Sequence, residues 1–422
     1  MYLWGDKLKL QIENTNQING TINISGSKNA CLPILVTCLL TNQKMKLYNV
    51  PNITDITYML RILKSIGVKV KYNKDTNELL LKRKYLKSNI KSTYTKKIRA
   101  SYYLIGALFT EKKTMKTKYP GGCNFEERPI DYHLEAINKM GGKICTRKNI
   151  ITIKRKQKIP TTIKLKTKSV GATINIILAS VKTIGTTTIL NPSLEPEVLD
   201  FINVLIKMGS MIEIKKDKII IKGVKKLKGT SYRIMSDRIE AGSYLFLASS
   251  VVKSNVLLNN INPSLVKNVI NQLSSAGVDL IINKDSIRVL KNQSLNYMKV
   301  IADDYPNFPT DLQQIATAAL LSSNKISLVQ DNIYKNRFSE VNELIKMNAK
   351  IIRHKNKIII FPSRLIGTTV TATDLRAGFA LIVAGANAEG VTIIENAQVI
   401  FRGYEHLILK LKNLNINAKI IL

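Results

Sequence analysis

The sequence has 422 residues, enough for two domains of about 200 residues that each bury a core of their own. Hydrophobic residues make up 45% of the chain, which indicates a globular protein and excludes a disordered one. Lys and Arg number 65 against 29 Asp and Glu, and the resulting formal charge of +36 indicates an anionic ligand, a compositional bias on exposed faces such as the polar run 154–158, or both.

No stretch predicts export, a membrane span or a metal site. The first fifteen residues include Asp6, Lys7 and Lys9 and no apolar run, so no secretory signal is expected. The most apolar windows, Leu32–Leu40 and Phe379–Ala384, are too short to span a bilayer. The four cysteines and three histidines lack metal-ligand or disulfide spacing. We expect a soluble, cytoplasmic protein without metal or cofactor.

One unit recurs six times along the chain, with a period of roughly 70 residues. In each copy an amphipathic segment ends at Gly or Asn and continues into a β-rich stretch. These two residues tolerate the left-handed backbone that ends many helices, so helix C-caps are predicted at Gly67, Gly141, Gly209, Gly277, Asn348 and Asn415. A break near residue 235 divides the copies three and three, which predicts domains of residues 28–235 and of 1–27 plus 236–422. The region Lys9–Ile24 precedes the first helix, and we expect it to pair with the last repeat.

A second helix, rich in small apolar residues, is predicted upstream in each copy. These helices are predicted to start near Ser27, Ile98, Ser169, Asp237, Pro309 and Asp374. A helix N-terminus has a positive end and unpaired N–H groups, so it suits an anion, although any single one is more often an ordinary capped helix. Lys28, Arg99, Arg238 and Arg376 all occur at these starts, and this coincidence favours anion binding.

The stretch 120–131, Pro-Gly-Gly-Cys-Asn-Phe-Glu-Glu-Arg-Pro-Ile-Asp, is predicted to be a mobile lid. Its two glycines allow the backbone to swing, and Arg128 follows Cys123 closely. Positive neighbours lower a thiol pKa, whereas most cysteines are buried and inert. The polar flanks favour a reactive Cys123.

Several motifs together resemble the UDP-N-acetylglucosamine 1-carboxyvinyltransferase family of enolpyruvyl transferases. They run in order from one end of the chain to the other, at residues 24–30, 120–123, 128–131, 169–173, 195–197, 237–240, 308–311, 336–338, 374–377 and 401–405. The resemblance implies an α/β protein with an inside-out α/β barrel fold, built from two domains of three repeated units that close on ligand. The shikimate-pathway relative shares this fold but lacks the cysteine lid, and the Ser-Val-Gly-Ala-Thr motif belongs to the UDP-sugar branch. The chain departs from the family pattern at Lys335, where Glu is usual, and at Ser339-Glu340, where Met-His is usual.

The resemblance implies transfer of the enolpyruvyl group of phosphoenolpyruvate to the 3-hydroxyl of UDP-N-acetylglucosamine, with release of phosphate, as the first committed step of peptidoglycan synthesis. This chemistry needs an acid for phosphoenolpyruvate C3 and a base for the sugar hydroxyl. By resemblance the acid is Cys123 and the base is Asp311. Phosphoenolpyruvate would be bound by Lys28, Asn29, Arg128, Arg402, Arg376 and Arg337. The UDP-sugar would be bound by Arg99, Arg128, Pro129, Ile130, Asp131, Tyr132, Thr167, Lys168, Ser169, Val170, Gly171, Asp311 and Ile333.

Two other functions remain open at this point. The charge and the basic stretches 81–97 and 153–168 could indicate a nucleic-acid-binding protein, but these stretches lack the regular aromatic residues of a stacking platform. A degenerate fold kept for a structural or regulatory role is the second alternative. We expect small-molecule substrates, no nucleic acid and no membrane insertion.

Overall fold

The computed structural model describes residues 8–121, 129–291 and 293–421. The chain divides into two compact units. The first, here called the central unit, is Gly26–Met235, and the second, the terminal unit, comprises the chain up to Ser25 and from Ser236.

Both units contain helices and strands. The α-helices of the described ranges are α1 (Lys28–Val36), α2 (Thr54–Ser65), α3 (Tyr103–Glu111), α4 (Asp131–Lys139), α5 (Val170–Ser180), α6 (Pro196–Lys207), α7 (Arg238–Ser250), α8 (Lys267–Ser275), α9 (Thr310–Leu320), α10 (Glu340–Lys346), α11 (Leu375–Asn387) and α12 (Leu407–Lys412). Short 3-10 helices lie at Thr37–Leu40, Thr93–Lys96, Arg99–Tyr102, Pro263–Val266 and Ala397–Arg402. Within the described ranges, no helix has both the length and the apolar composition needed to cross a bilayer.

The strands of the described ranges follow in chain order. They are β1 (Lys9–Glu13), β2 (Gln17–Asn23), β3 (Met45–Tyr48), β4 (Val68–Asn73), β5 (Glu78–Arg83), β6 (Thr114–Lys118), β7 (Gly142–Arg147), β8 (Ile150–Arg155), β9 (Thr162–Lys164), β10 (Thr186–Leu190), β11 (Met211–Lys215), β12 (Lys218–Lys222), β13 (Ser231–Arg233), β14 (Lys253–Asn259), β15 (Asp279–Ile282), β16 (Ser286–Lys291), β17 (Lys299–Ala302), β18 (Ser327–Asp331), β19 (Ile351–His354), β20 (Lys357–Ile360), β21 (Thr369–Thr371), β22 (Val391–Glu395) and β23 (Ala418–Ile421).

Each unit arranges its described strands in three small sheets. The orders are β13-β3-β5-β4, β6-β8-β7 and β11-β12-β10-β9 in the central unit, and β15-β16-β14-β2, β17-β18-β20-β19 and β21-β22-β1-β23 in the terminal unit. Five of these six sheets combine one parallel pair with antiparallel neighbours. In the remaining sheet, β6 pairs antiparallel with β8, and its described parallel pairing is an isolated bridge between Lys116 and Asn89. The six predicted repeats therefore correspond to six sheets in the described chain.

The small-residue helices form the interior of each unit. In the central unit α3 packs on α5, and a Cβ at Gly106 would lie 2.4 Å from the carbonyl oxygen of Asn175. In the terminal unit α9 packs against both α7 and α11, and a Cβ at Gly242 would lie 2.3 Å from a methyl carbon of Leu312. Larger residues would separate these backbones, so the small residues fix how closely the inner helices approach.

The helix ends follow most of the predicted pattern. All six predicted C-cap residues have positive φ, from +61° at Asn415 to +108° at Gly67. The side chains of Ser27, Ser169, Asp237 and Asp374 accept hydrogen bonds from backbone N–H groups of the helices that follow them. The predicted start near Ile98 is wrong by several residues, because the chain first forms the 3-10 turn Arg99–Tyr102. Ile98 has no side-chain oxygen to cap the first N–H groups, and a 3-10 turn satisfies such groups by tighter bonding.

The N-terminal strands divide their pairing between two repeats. Strand β1 lies between β22 and β23, which confirms the expected pairing with the last repeat. Strand β2 instead pairs in parallel with β14 along seven residues, and β13 pairs in parallel with β3 in the same way. In both cases a strand from a distant part of the sequence completes the sheet of a unit's first repeat.

The basic run 154–158 is not simply exposed, contrary to expectation. Arg155 is half-buried and donates from Nε to the carbonyl oxygen of Phe109 at 2.7 Å and from Nη2 to that of Thr110 at 3.2 Å. Lys158 donates to the carbonyl oxygen of Lys182, two residues beyond the end of α5. These cations satisfy carbonyls at helix C-termini, where the helix dipole favours positive charge.

Candidate active site

In the terminal unit, the predicted base Asp311 is held by two buried arginines. Its Oδ1 accepts from Nη1 of Arg337 at 2.8 Å, and its Oδ2 accepts from Nη2 of Arg376 at 3.1 Å. The Asp311 side chain is 26% exposed, whereas the Arg337 and Arg376 side chains are 4% and 1% exposed. The carboxylate can therefore meet solvent or a ligand while both of these cations remain inside the protein.

Both arginines stay charged in spite of their burial. Burial lowers the pKa of Arg376, but Tyr404, Asp311 and Asp237 outweigh it and raise that pKa above its ordinary value. The guanidinium lies 5.2 Å from the centre of the Tyr404 ring. Burial also lowers the pKa of Arg337, and Asp311 with Asp374 reverses that shift. A cation fixed in a water-poor place interacts strongly with an incoming anion.

The loop after β18 carries Arg337 to Asp311. Asp331, the last residue of β18, is completely buried and accepts the hydroxyl of Thr310 and the backbone N–H groups of Ile333 and Tyr334. Ile333 is half-buried on this loop. Asp311, Ile333, Arg337 and Arg376 are thus connected within the terminal unit.

Arg402, the remaining predicted residue of this unit, ends the 3-10 helix Ala397–Arg402 and is half-buried. That helix packs against α11, the helix that carries Arg376.

In the central unit, Lys28 lies at the first position of α1 with a buried partner. Its Nζ is 3.7 Å from Oδ2 of Asp55, which lies in the first turn of α2, and both side chains are at most 10% exposed. Asn29, the next residue, is half-buried. This ion pair lies beside the N-terminus of α1, where an anion is stabilised by the helix dipole.

Three predicted sugar-binding segments meet around His133. Its Nδ1 lies 2.6 Å from Nδ2 of Asn175, whose Oδ1 accepts from the backbone N–H of Gly106. The Asn175 amide must therefore donate to His133, which leaves the imidazole proton on Nε2. Burial, with a smaller contribution from Arg99, lowers the pKa of His133 to about 3, so the ring is neutral at pH 7.

The contacts of His133 connect the start of α4 to the start of α5. The ring lies 4.6 Å from that of Tyr102, which follows Arg99 in the 3-10 turn. A Cβ at Gly171 would lie 2.8 Å from the Tyr102 hydroxyl and 2.9 Å from Cε1 of His133, so only glycine fits there without a shift. The first N–H groups of α5 lie at Val170 and Gly171, and such groups suit an anion.

The other predicted sugar-binding residues surround these helix ends. Pro129 and Asp131 are exposed, Ile130 is buried, and Asp131 begins α4, so the predicted lid does not extend through residue 131 as a loop. Thr167 and Lys168 are exposed, and the Thr167 hydroxyl lies 3.4 Å from that of Tyr132.

Cys123 and Arg128 lie outside the described residues, as do Glu126 and Glu127. Gly121 is described, and its surroundings give a second reason for a glycine besides the freedom of its backbone. Its N–H donates to Thr95, and a Cβ would lie 1.7 Å from the carbonyl oxygen of Lys96. Close approach of two backbones therefore requires a glycine at this position.

Sequence reasoning missed several acidic and polar groups around these sites. They are Asp55 and Asp331, both buried, together with His133 and Asn175, whereas the buried Glu340 was noted only as a departure from the family pattern. Burial raises the pKa of Glu340 to about 7, and its Oε2 accepts from Nε2 of Gln314 at 2.9 Å. A sequence signal was available for Asp331, because it ends the alternating strand β18 and lies five positions before the start of the Asn-Arg-Phe motif.

Comparison with known proteins places the whole chain in one family. The family model described as EPSP synthase (3-phosphoshikimate 1-carboxyvinyltransferase) matches residues 12–411. A protein of Halothermothrix orenii named UDP-N-acetylglucosamine 1-carboxyvinyltransferase is 38% identical over 97% of this chain and 99% of its own length. A Wolbachia protein of the same name is 39% identical over 95% of this chain and 96% of its own.

Solved structures show the same fold. The enolpyruvyl transferase NikO from Streptomyces tendae has a TM-score of 0.89 at 19% identity, and covers 98% of this chain and 99% of its own. An EPSP synthase from Acinetobacter baumannii has a TM-score of 0.76 at 15% identity, and the match covers 98% of this chain and 100% of the synthase chain. These likenesses confirm the predicted enolpyruvyl transferase fold. The family model and the sequence relatives show that the chain belongs to the EPSP synthase family and, within it, to the UDP-N-acetylglucosamine 1-carboxyvinyltransferases.

Proposed function

We propose that this protein transfers the enolpyruvyl group of phosphoenolpyruvate to the 3-hydroxyl of UDP-N-acetylglucosamine and releases phosphate. The observation that carries the proposal is Asp311, a partly exposed carboxylate between two buried arginines. Membership of a family named for this transfer supports the choice of substrates. A place for the reaction in the cytoplasm, as the first committed step of peptidoglycan synthesis, belongs to the same proposal.

The addition step requires two proton transfers, and the whole reaction requires the stabilisation of negative charge. Addition begins when C3 of phosphoenolpyruvate gains a proton and C2 becomes open to attack by the sugar hydroxyl, which loses its proton. In the elimination step the tetrahedral adduct loses phosphate from C2 and a proton from C3, which re-forms the double bond and gives the enol ether. We assign Asp311 as the base for the hydroxyl and Cys123 as the proton donor to C3. Each such group typically contributes about 10²–10⁴ in rate.

Fixed cations supply the charge stabilisation. We assign Lys28, Arg128, Arg337, Arg376 and Arg402, with the amide of Asn29, to phosphoenolpyruvate and the departing phosphate. The Arg337 and Arg376 guanidinium groups are already oriented by their contact with Asp311, so little reorganisation is needed when an anion arrives.

The segments around His133 are assigned to the UDP-sugar. The N–H groups at the start of α5, in Ser169–Gly171, suit the diphosphate, and Arg99 supplies positive charge near the neutral ring of His133. Arg128 to Tyr132, Thr167, Lys168 and Ile333 are assigned to the remaining contacts with the nucleotide and sugar.

The test is phosphate release from phosphoenolpyruvate with and without UDP-N-acetylglucosamine. We expect release that requires the UDP-sugar and falls by at least about 100-fold in both Cys123→Ala and Asp311→Ala. Cys145→Ala is the matched control, since Cys145 is an exposed cysteine on β7 and should keep wild-type activity. Release supported by shikimate 3-phosphate instead, or no release from folded protein, would contradict the proposal.

A further inference from the structure

We propose that Asp331 is a positioning residue for this reaction, holding Arg337 and, through it, Asp311 in the geometry that proton abstraction needs. The inference rests on the proposed function, because it concerns the residue assigned there as the base. The hydrogen bonds of Asp331 lead to Asp311 through Thr310 and Arg337.

The first connection passes through the Thr310 hydroxyl. Thr310 Oγ1 donates to Oδ2 of Asp331, and it accepts from Nη1 of Arg337 at 3.3 Å. A hydroxyl has a single proton, so donation to Asp331 leaves only its lone pairs toward Arg337. The same Nη1 donates to Oδ1 of Asp311 at 2.8 Å. Asp331 thus fixes the direction of the Thr310 proton and leaves a lone pair of the hydroxyl for Arg337, beside the base.

The second connection passes through the backbone of the loop. Oδ1 of Asp331 accepts the N–H groups of Ile333 and Tyr334, each at 2.8 Å. The carbonyl oxygen of Tyr334 then accepts the N–H of Arg337 at 3.1 Å, and the Tyr334 ring centre lies 5.8 Å from the Arg337 guanidinium. One carboxylate therefore orients both the main chain and the side chain of Arg337.

These two connections use different oxygens, and an amide could keep only one of them. In Asp331→Asn the amide oxygen can still accept the two loop N–H groups. The amide nitrogen, which can only donate, would then face Thr310, whose hydroxyl loses its acceptor and must turn its proton elsewhere. The variant therefore preserves the loop but releases the Thr310 hydroxyl from the orientation that it has beside Arg337.

The charge of Asp331 also bears on Asp311. Several charged groups act on Arg337: Asp311 on α9, Asp374 and Arg376 at the start of α11, and Asp331 at the end of β18. Without the negative charge of Asp331, Arg337 would be attracted more strongly to Asp311. The Asp311 carboxylate would then keep its charge to lower pH and accept a proton from the sugar less readily.

The experiment measures kcat, KM and the pH dependence of kcat for phosphate release with both substrates. We expect Asp331→Asn to lower kcat by about 10- to 100-fold, with KM for each substrate within about 3-fold, and to move the acidic limb of the profile to lower pH. Thr310→Val should lower kcat similarly, whereas Thr310→Ser keeps the hydroxyl and should restore it. The double variant should be no slower than the slower single variant, because both changes break one connection.

The matched control is Asp303→Asn, which makes the same chemical change directly after the neighbouring strand β17. Asp303 accepts from Nδ2 of Asn332 and from the N–H of Asp304, outside the contacts that lead from Asp331 to Arg337, and we expect its variant to keep kcat and the pH profile. Unchanged kcat and an unshifted acidic limb in Asp331→Asn, even with easier unfolding, would reduce Asp331 to a structural residue and overturn the inference. An inactive wild-type protein would instead overturn the proposed function and this inference together.

Discussion

The substitution Lys410→Met would break a buried ion pair in the terminal unit. Nζ of Lys410 lies 2.6 Å from Oε1 of Glu240 and 2.7 Å from Oγ of Ser25. The other oxygen of Glu240 accepts the backbone N–H of Ser25 at 2.7 Å. The two side chains are 8% and 1% exposed, so a carboxylate deprived of its lysine cannot be hydrated in place.

The expected loss follows from this geometry. The substitution removes the two hydrogen bonds that Lys410 donates, each worth about 1.5–3 kcal/mol for a charged donor. Of the contacts described above, the buried Glu240 carboxylate then keeps the one from the backbone N–H of Ser25. Breaking a buried pair typically costs about 3–5 kcal/mol. For a unit of this size that corresponds to a fall in Tm of about 6–20 °C. Glu240→Gln combined with Lys410→Met should recover much of the loss, since no charge then stays buried.

Urea unfolding followed by circular dichroism measures the free energies, with Lys412→Met as a control at an exposed lysine of the same helix. Burial raises the pKa of Glu240 above its ordinary value of 4.5, and loss of Lys410 removes the attraction that opposes this shift. A carboxyl whose pKa is higher in the folded than in the unfolded protein stabilises the folded state at pH values below the unfolded pKa, and this stabilisation is lost as pH rises through the folded pKa. The stability difference between Lys410→Met and the wild type should therefore shrink near pH 4. A loss below about 1 kcal/mol at pH 7, or one independent of pH, would refute the reasoning.

Three further predictions concern single sites. Burial raises the pKa of Glu340 from 4.5 to about 7, so the free energy of unfolding of the wild type falls as pH rises through that range. Between pH 4 and pH 8 the stability of Glu340→Gln should therefore rise by about 3 kcal/mol relative to that of the wild type in urea unfolding. An equal difference between variant and wild type at both pH values would contradict this. Arg155→Ala should lower the free energy of unfolding by about 1–2 kcal/mol, because the last carbonyls of α3 lose their donor, whereas Lys154→Ala at the exposed neighbour should change it by less than about 0.5 kcal/mol. Gly171→Ala should weaken UDP-N-acetylglucosamine binding by about 10-fold in calorimetry, since the new methyl would displace His133 and the start of α5; unchanged affinity would count against the assigned subsite.

The repeat and its boundaries could be predicted because their signals are local. A glycine or asparagine at the end of an amphipathic segment predicts a left-handed cap through its own backbone preference, and Gly67 through Asn415 confirm this. Ser169 and Asp374 predict helix starts through side-chain oxygens that reach N–H groups two or three residues away. At Ile98 such an oxygen is missing, and there the predicted helix start was wrong.

The candidate site could be predicted only in part. The motifs predicted its residues one by one, and the structure joins Asp311 to Arg337 and Arg376 as a group. The sequence contains no sign that Asp55 faces Lys28 or that Arg155 lies at the end of α3. Contacts of this kind join elements whose separation in the chain has no fixed relation to their distance in space.

The sequence by itself determined the period of six units, the ends of most helices and the family, since each depends on residue types at short, regular spacing. Only the tertiary structure decided which charged groups are buried and which group forms the ion pair or hydrogen bond with each of them. A buried Asp55 has the same sequence signature as an exposed carboxylate. Its surroundings are created by the packing of distant helices and strands, and those surroundings set its hydrogen bonds and its charge.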